Sequence, residues 1–169
     1  MNASYNNFRL VNTYGAFGSV TRERHELVFE GTEDFVETAA TVWREYGFKA
    51  KPGDVMRRPR QVAPYHLRLD WMVWFLPFTV VVSGHGVHVN GYQRWTLRLA
   101  KRLLEADRGV LGLMGHDPFA GERPGMVRVK FYKYSYTTAA ERKATGAWWE
   151  RRLLGEFLPA MDLEALGSV

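Results

Sequence analysis

The sequence has no cysteine, no long hydrophobic run and no strong imbalance of charge. Without cysteine, a disulfide framework, a thiolate zinc site and a cysteine nucleophile are excluded. The longest apolar run, Trp71–Val82, has 12 residues and contains Pro77 and Thr79. Because a membrane-spanning helix needs about 20 apolar residues, this run is predicted to be core and the chain alone to be soluble. Met1–Leu10 is polar, so no signal peptide is expected.

Charge is nearly balanced, with 23 Lys and Arg against 18 Asp and Glu, a net +5. The surplus is spread along the chain, whereas dedicated nucleic-acid binders usually concentrate it. We therefore expect no nucleic-acid partner.

The chain has 169 residues, of which 46% are hydrophobic and 14% aromatic. That length suits one domain with a sizeable core, so residues 1–169 are predicted to form a single soluble domain.

Hydrophobic periodicity predicts strands and helices in separate parts of the chain. Period-two alternation predicts strands at 8–14, 24–30, 42–50, 65–70 and 127–137, and a hairpin within 80–90. Helical periodicity is clearest at 92–107, and a second helix is predicted at 139–157. The strand at 127–137 has aromatic residues on both faces, which predicts a central position in its sheet. The fold class is therefore α+β, with a largely antiparallel, sandwich-like sheet of four to six strands packed with two to four helices.

Motifs that carry catalysis or hold cofactors are missing. There is no G-x-S-x-G turn and no glycine-rich phosphate loop. His85 and His88 are the nearest approach to a metal pair, but on a strand their spacing puts them on opposite faces. No metal, no cofactor and no catalytic residue is predicted.

Three groups of residues are candidates for binding. A basic stretch with interleaved aromatics could contact an anion or an acidic protein, or could be a loop held by Arg–carboxylate pairs. Its members are Lys49, Lys51, Arg57, Arg58 and Arg60.

The second group is His66, Arg68 and Asp70, which a strand would place on one face. They could form a catalytic or ligand-binding cluster, or an ion network that orients a loop. The third is Trp148 and Trp149. One ring is predicted to enter the core, and the other to face a partner or a lipid headgroup, unless both are buried.

Several long blocks resemble the lipase maturation factor family. They are Arg9–Arg24, Trp43–Asp54, Arg57–Pro59, Pro64–Trp71, Pro118-Phe119, Trp148-Trp149 and Gly155–Pro159. The blocks occur in order along nearly the whole chain. Residues 80–92 match no block of that family.

The resemblance implies the soluble C-terminal domain of a polytopic membrane protein, without the membrane-spanning part. Family members in animals reside in the endoplasmic reticulum and help dimeric lipases to fold, and a bacterial member would face the extracytoplasmic side. The implied function is a non-catalytic maturation domain whose partners are a lipase-like client and the attached membrane region. Two alternatives stay open: an enzyme or ligand-binding module that uses His66, Arg68 and Asp70, and a purely structural cap on the membrane region.

Overall fold

A computed structural model of the protein describes residues 23–62, 65–84 and 86–167. Within these ranges the chain forms six strands and four helices. The strands are β1 (Arg24–Thr32), β2 (Arg44–Glu45), β3 (Val80–Ser83), β4 (Gly86–Val89), β5 (Met126–Tyr136) and β6 (Trp149–Met161). The helices are α1 (Arg68–Phe75), α2 (Arg94–Leu104), α3 (Arg108–Leu111) and α4 (Ala139–Thr145), and a 3₁₀ turn, Leu76–Thr79, follows α1.

The main sheet is antiparallel and has the strand order β2-β1-β5-β6. The prediction of an α+β fold with a largely antiparallel sheet is thus confirmed, and β5 is central, as its aromatic residues on both faces indicated. Strands β3 and β4 form a separate two-stranded sheet, which is the predicted hairpin.

One face of the main sheet builds the hydrophobic core. Leu27 and Phe29 of β1 alternate with residues of the opposite face, and both are almost fully buried. Helix α2 covers this side with an apolar stripe that includes Leu99, Leu103 and Leu104, spaced as an amphipathic helix requires.

The β3–β4 hairpin packs on the outer strand of the main sheet at a glycine. A Cβ built on Gly155 would lie 2.5 Å from Cγ2 of Val87, so only glycine lets the hairpin approach this closely. The hairpin thus docks on β6 at Gly155.

Three local predictions were wrong: a strand at 65–70, a strand over the whole of 42–50 and a helix over the whole of 139–157. The segment 65–70 is not a strand, because a helix begins at Arg68. Alternation over only six residues does not distinguish a strand from a segment that leads into a helix. In the structure Asp70 lies in the first turn of α1, where a carboxylate interacts favourably with the helix dipole. Of the strand predicted at 42–50, only Arg44–Glu45 is paired as a strand, and the strand predicted at 8–14 lies outside the described residues.

The helix predicted at 139–157 ends at Thr145. Thr138 and Glu141 form a capping box at its start, and Gly146, with φ of +76°, ends it. The chain then forms β6, whose pairing with β5 contains three register shifts. These bulges break the period-two alternation that would have identified a strand.

Candidate functional site

The basic stretch divides into buried and exposed side chains. Lys51 is only 4% exposed, and its ammonium group is bonded to Glu26, which is completely buried on β1. Arg24 reaches the other carboxylate oxygen of Glu26, with Nε 2.6 Å from Oε1. Glu26 therefore holds two cations, and Lys51 is a structural residue rather than part of an exposed surface.

Arg57 also works inside the fold. Its guanidinium donates to the backbone carbonyl of Phe48 at 2.7 Å and to that of Lys51. Burial, the largest influence, lowers its pKa. Nearby, Lys49 Nζ donates to the carbonyl of Gly112 at 2.5 Å. These bonds hold the loop after Phe48 against its neighbours.

Arg58 lies on the surface and meets the tryptophan pair. Its guanidinium carbon is 5.5 Å from the ring centre of Trp148, and that of Arg142 is 4.4 Å from the same ring. Cation–π contacts of this kind fix an indole between two charges. The fold thus joins two separately predicted groups, and adds Arg142 from α4, which sequence reasoning missed. Arg60 is exposed.

The two tryptophans point to different environments. Trp149 is 4% exposed, and its ring stacks on Tyr136 with centres 4.2 Å apart. Trp148 is half-buried within the arginine stack. The two side chains differ in this way because β6 begins here, and successive side chains along a strand point to opposite faces of the sheet.

His66, Arg68 and Asp70 do not share a face, because Arg68 and Asp70 are two residues apart on a helix, a rotation of about 200°. Arg68 is exposed and His66 lies before the helix, 4.7 Å from Trp71 between ring centres. Asp70 is 6% exposed, and its Oδ1 accepts from the backbone N–H groups of Ala50 at 2.7 Å and Lys51 at 3.0 Å. Asp70 thereby fastens α1 to the loop that contains Lys51.

A cleft of about 250 Å³ lies between α1 and the first residue of β1, Arg24, and we name it the α1 cleft. Asp70 contributes to its wall, and Oδ2 of this carboxylate is buried and has no hydrogen-bond partner. The remaining lining residues are Arg24, Ala50, Lys51, Val62, His66, Leu67, Trp71 and Trp74.

The run Trp71–Val82, predicted to be core, is partly exposed. Val73 and Leu76 are fully buried, but Phe78 is 70% exposed and Val81 and Val82 are about half exposed. Val81 and Val82 are successive residues of β3, so their side chains point to opposite faces of the hairpin. A sheet of only two strands covers neither of them fully. We name Phe78, Val81 and Val82 the apolar ridge.

The sequence around the ridge is poor in carboxylates. Between Asp54 and Glu105 the only acidic residue is Asp70, and Asp70 is buried. The same stretch carries eight cationic side chains: Arg57, Arg58, Arg60, Arg68, Arg94, Arg98, Lys101 and Arg102. This local surplus was visible in the sequence but was hidden when charges were compared over longer segments.

In the described parts of the chain, no group of three or more His, Asp and Glu side chains is placed to hold a metal ion. No helix in those parts is long and apolar enough to cross a membrane. His85, which with His88 was the nearest approach to a metal pair in the sequence, lies outside the described residues.

The structure defines an α+β domain with an exposed apolar ridge and, over residues 55–104, a stretch that is rich in basic residues and poor in carboxylates. The profile of the lipase maturation factor C-terminal domain matches residues 10–159. The chain belongs to the lipase maturation factor family.

Among its relatives, lipase maturation factor 1 of Homo sapiens is 41% identical over 98% of this chain, and that of Bos taurus has the same identity and coverage. Lipase maturation factor 2 of Gallus gallus is 34% identical over 92% of the chain. The chain spans 28% of the length of the human factor 1 and 21% of the Gallus factor 2. No solved structure matches it.

Proposed function

We propose that this domain contacts client proteins of the lipase type while they fold and assemble, without catalysing a reaction. The observation that carries the proposal is the apolar ridge, in which Phe78 is 70% exposed. A protein that binds incompletely folded chains must offer apolar surface, and large exposed apolar side chains mark interaction sites. In the longer protein we place the domain next to the membrane region, on the lumenal or extracytoplasmic side.

The exposed basic side chains give the contact a preferred charge. Arg58 and Arg142 hold Trp148 between them, and arginine and tryptophan are the residue types that dominate binding energy at interfaces. No exposed carboxylate of residues 55–104 opposes them. We propose that the client presents apolar side chains flanked by acidic ones.

A refolding assay tests the proposal. A homodimeric lipase is diluted from denaturant with the purified chain, or with an inert protein of equal charge, and recovered activity is followed. We expect the chain to increase recovery. The double variant Phe78→Ser, Val82→Ser should lose most of the increase, because it removes apolar contact area while sparing the buried core.

A matched control is Phe35→Ser, since Phe35 is 78% exposed but lies in the loop after β1. The recovery of lipase activity with Phe35→Ser should equal the recovery with the unchanged chain. For the charged part, Arg58→Glu with Arg60→Glu should reduce recovery while Arg123→Glu, at another exposed position, should not. Arg57 is left unchanged, because its bonds to Phe48 and Lys51 support the fold.

Recovery that is the same with and without the chain would contradict a client-binding role for the domain by itself. The structural alternative would then be favoured. Deleting the domain from the longer protein should in that case lower the amount of folded protein rather than its binding of lipase.

A further inference from the structure

The α1 cleft carries a feature that the client surface does not explain. The Asp70 side chain is 6% exposed and its Oδ2 has no hydrogen-bond partner, while Oδ1 accepts from two backbone N–H groups. A buried acceptor without a partner is costly, and in native proteins such groups usually have a water, an ion or a ligand. Asp70 is also one of the residues that line the α1 cleft.

The size and walls of the cleft suit a flat, mainly apolar group. Its volume is about 250 Å³, and a cavity of roughly 150 Å³ is known to hold benzene. A bicyclic aromatic ring therefore fits, whereas a large cofactor does not. The aromatic rings of Trp71 and Trp74 and the side chains of Val62 and Leu67 form the apolar wall.

The charges around the cleft favour a neutral ligand over an ionic one. The Asp70 carboxylate would repel an anion, and the two cations Lys51 and Arg24 would disfavour a second cation. Both cations are already paired with the carboxylate of Glu26. A neutral N–H donor could satisfy the buried acceptor without adding charge.

We infer that the α1 cleft binds a neutral aromatic group with an N–H donor, of the indole type, whose N–H is donated to Asp70. The group could belong to a free small molecule or to a tryptophan side chain of a protein. Trp74 of the cleft contacts Phe78 of the apolar ridge, with ring centres 6.3 Å apart. The proposed function does not depend on Asp70, so failure of this inference would leave it intact.

The first probe is N-acetyl-5-fluorotryptophanamide, observed by its ¹⁹F signal during titration with the protein. The comparison ligand carries a methyl group on the indole nitrogen and has no donor. We expect the unmethylated probe to bind at least about tenfold more tightly, the factor that one hydrogen bond to a charged group supplies. Equal affinity of the two probes, or no binding of either at millimolar concentration, would overturn the inference.

Two variants locate the binding. Asp70→Asn keeps an oxygen for the N–H groups of Ala50 and Lys51 but replaces Oδ2 with an N–H₂ donor, so the preference for the unmethylated probe should disappear. Asp117→Asn is the matched control, because Asp117 likewise accepts from two backbone N–H groups, those of Phe119 and Gly121, and does not line the cleft. Binding by Asp117→Asn should be unchanged.

Should Asp70→Asn fail to fold, Val62→Phe provides a second variant that fills the cleft without touching the Asp70 hydrogen bonds. It should abolish binding of the probe, and undiminished binding would overturn the inference. A second titration uses a short unstructured peptide with one 5-fluorotryptophan. Tighter binding of the peptide than of the free amide assigns the ligand to a protein side chain, and the reverse assigns it to a small molecule.

Discussion

Replacing Glu26 with leucine removes the carboxylate to which the buried Lys51 ammonium is bonded. Glu26 is fully buried and Lys51 is 4% exposed, so water does not readily replace the lost partner. One contact that remains is the Phe48 ring, whose centre is 5.8 Å from Nζ. Breaking a buried ion pair from one side destabilises by about 3–5 kcal/mol. We expect the destabilisation caused by Glu26→Leu to lie in that range.

Replacing Lys51 with methionine should lower the free energy of unfolding less than Glu26→Leu does. In Lys51→Met, Glu26 keeps Arg24, whose Nε lies 2.6 Å from Oε1, so the buried carboxylate is still paired. A loss of about 1–3 kcal/mol is expected, which corresponds to one charge-assisted hydrogen bond. The double variant Glu26→Leu, Lys51→Met buries no unpaired charge at this position, so it should be more stable than Glu26→Leu alone.

Urea denaturation followed by circular dichroism measures all four proteins, with the slope m checked for constancy. The inequality between the two single variants is the critical result. Equal losses in Glu26→Leu and Lys51→Met, or a double variant less stable than Glu26→Leu, would refute the reasoning. In the refolding assay, Lys51→Met should act only in proportion to its loss of folded protein, because Lys51 is not part of the exposed surface.

Three further predictions concern other contacts. Gly155→Ala should cost about 1–3 kcal/mol through overpacking against Val87. Val87→Ala should partly rescue that variant, as a double-mutant cycle by urea denaturation would show; additive losses would contradict the contact. The Tyr134 hydroxyl donates to the carbonyl of Gly53 at 2.9 Å, and Tyr134→Phe should cost about 1 kcal/mol in the same assay. Because burial raises the pKa of Tyr134 to about 12, the folded state retains its proton longer than the unfolded state. Stability should therefore fall as pH rises from about 10 to 12, less steeply in the variant, and equal slopes would count against this account. Burial, as the largest influence, lowers the pKa of His25 below 6.5, so the unfolded state takes up the proton first as pH falls. Stability should decline below about pH 6.5, and His25→Phe, which keeps an aromatic ring, should flatten that decline in urea midpoints measured at several pH values.

The fold class and the family could be predicted from residues alone, because both depend on patterns that are local in the chain. The helix α2 has an apolar stripe at helical spacing, and β5 alternates over its whole length. The segment that became β6 could not be identified in this way, since its bulges arise only from pairing with β5. The first residues of α1 were predicted as the end of a strand, because the segment 65–70 is too short to separate a period of two from one of 3.6.

The candidate site was less accessible from sequence, because the role of a charged side chain depends on what surrounds it in space. Lys49, Lys51, Arg57, Arg58 and Arg60 look alike in the sequence, yet Lys51 is buried against a strand 25 residues away and Arg58 lies over Trp148. The contact that separates these two roles is a long-range one.

By itself, the sequence determined the α+β class, the antiparallel sheet, the central position of β5 and the family. The tertiary structure alone decided which cations are buried and which are exposed, that Phe78 stays in solvent, and that Asp70 has a buried oxygen beside a cleft. The physical reason is that periodicity records which face of one element is apolar, whereas burial and hydrogen bonding depend on which elements meet.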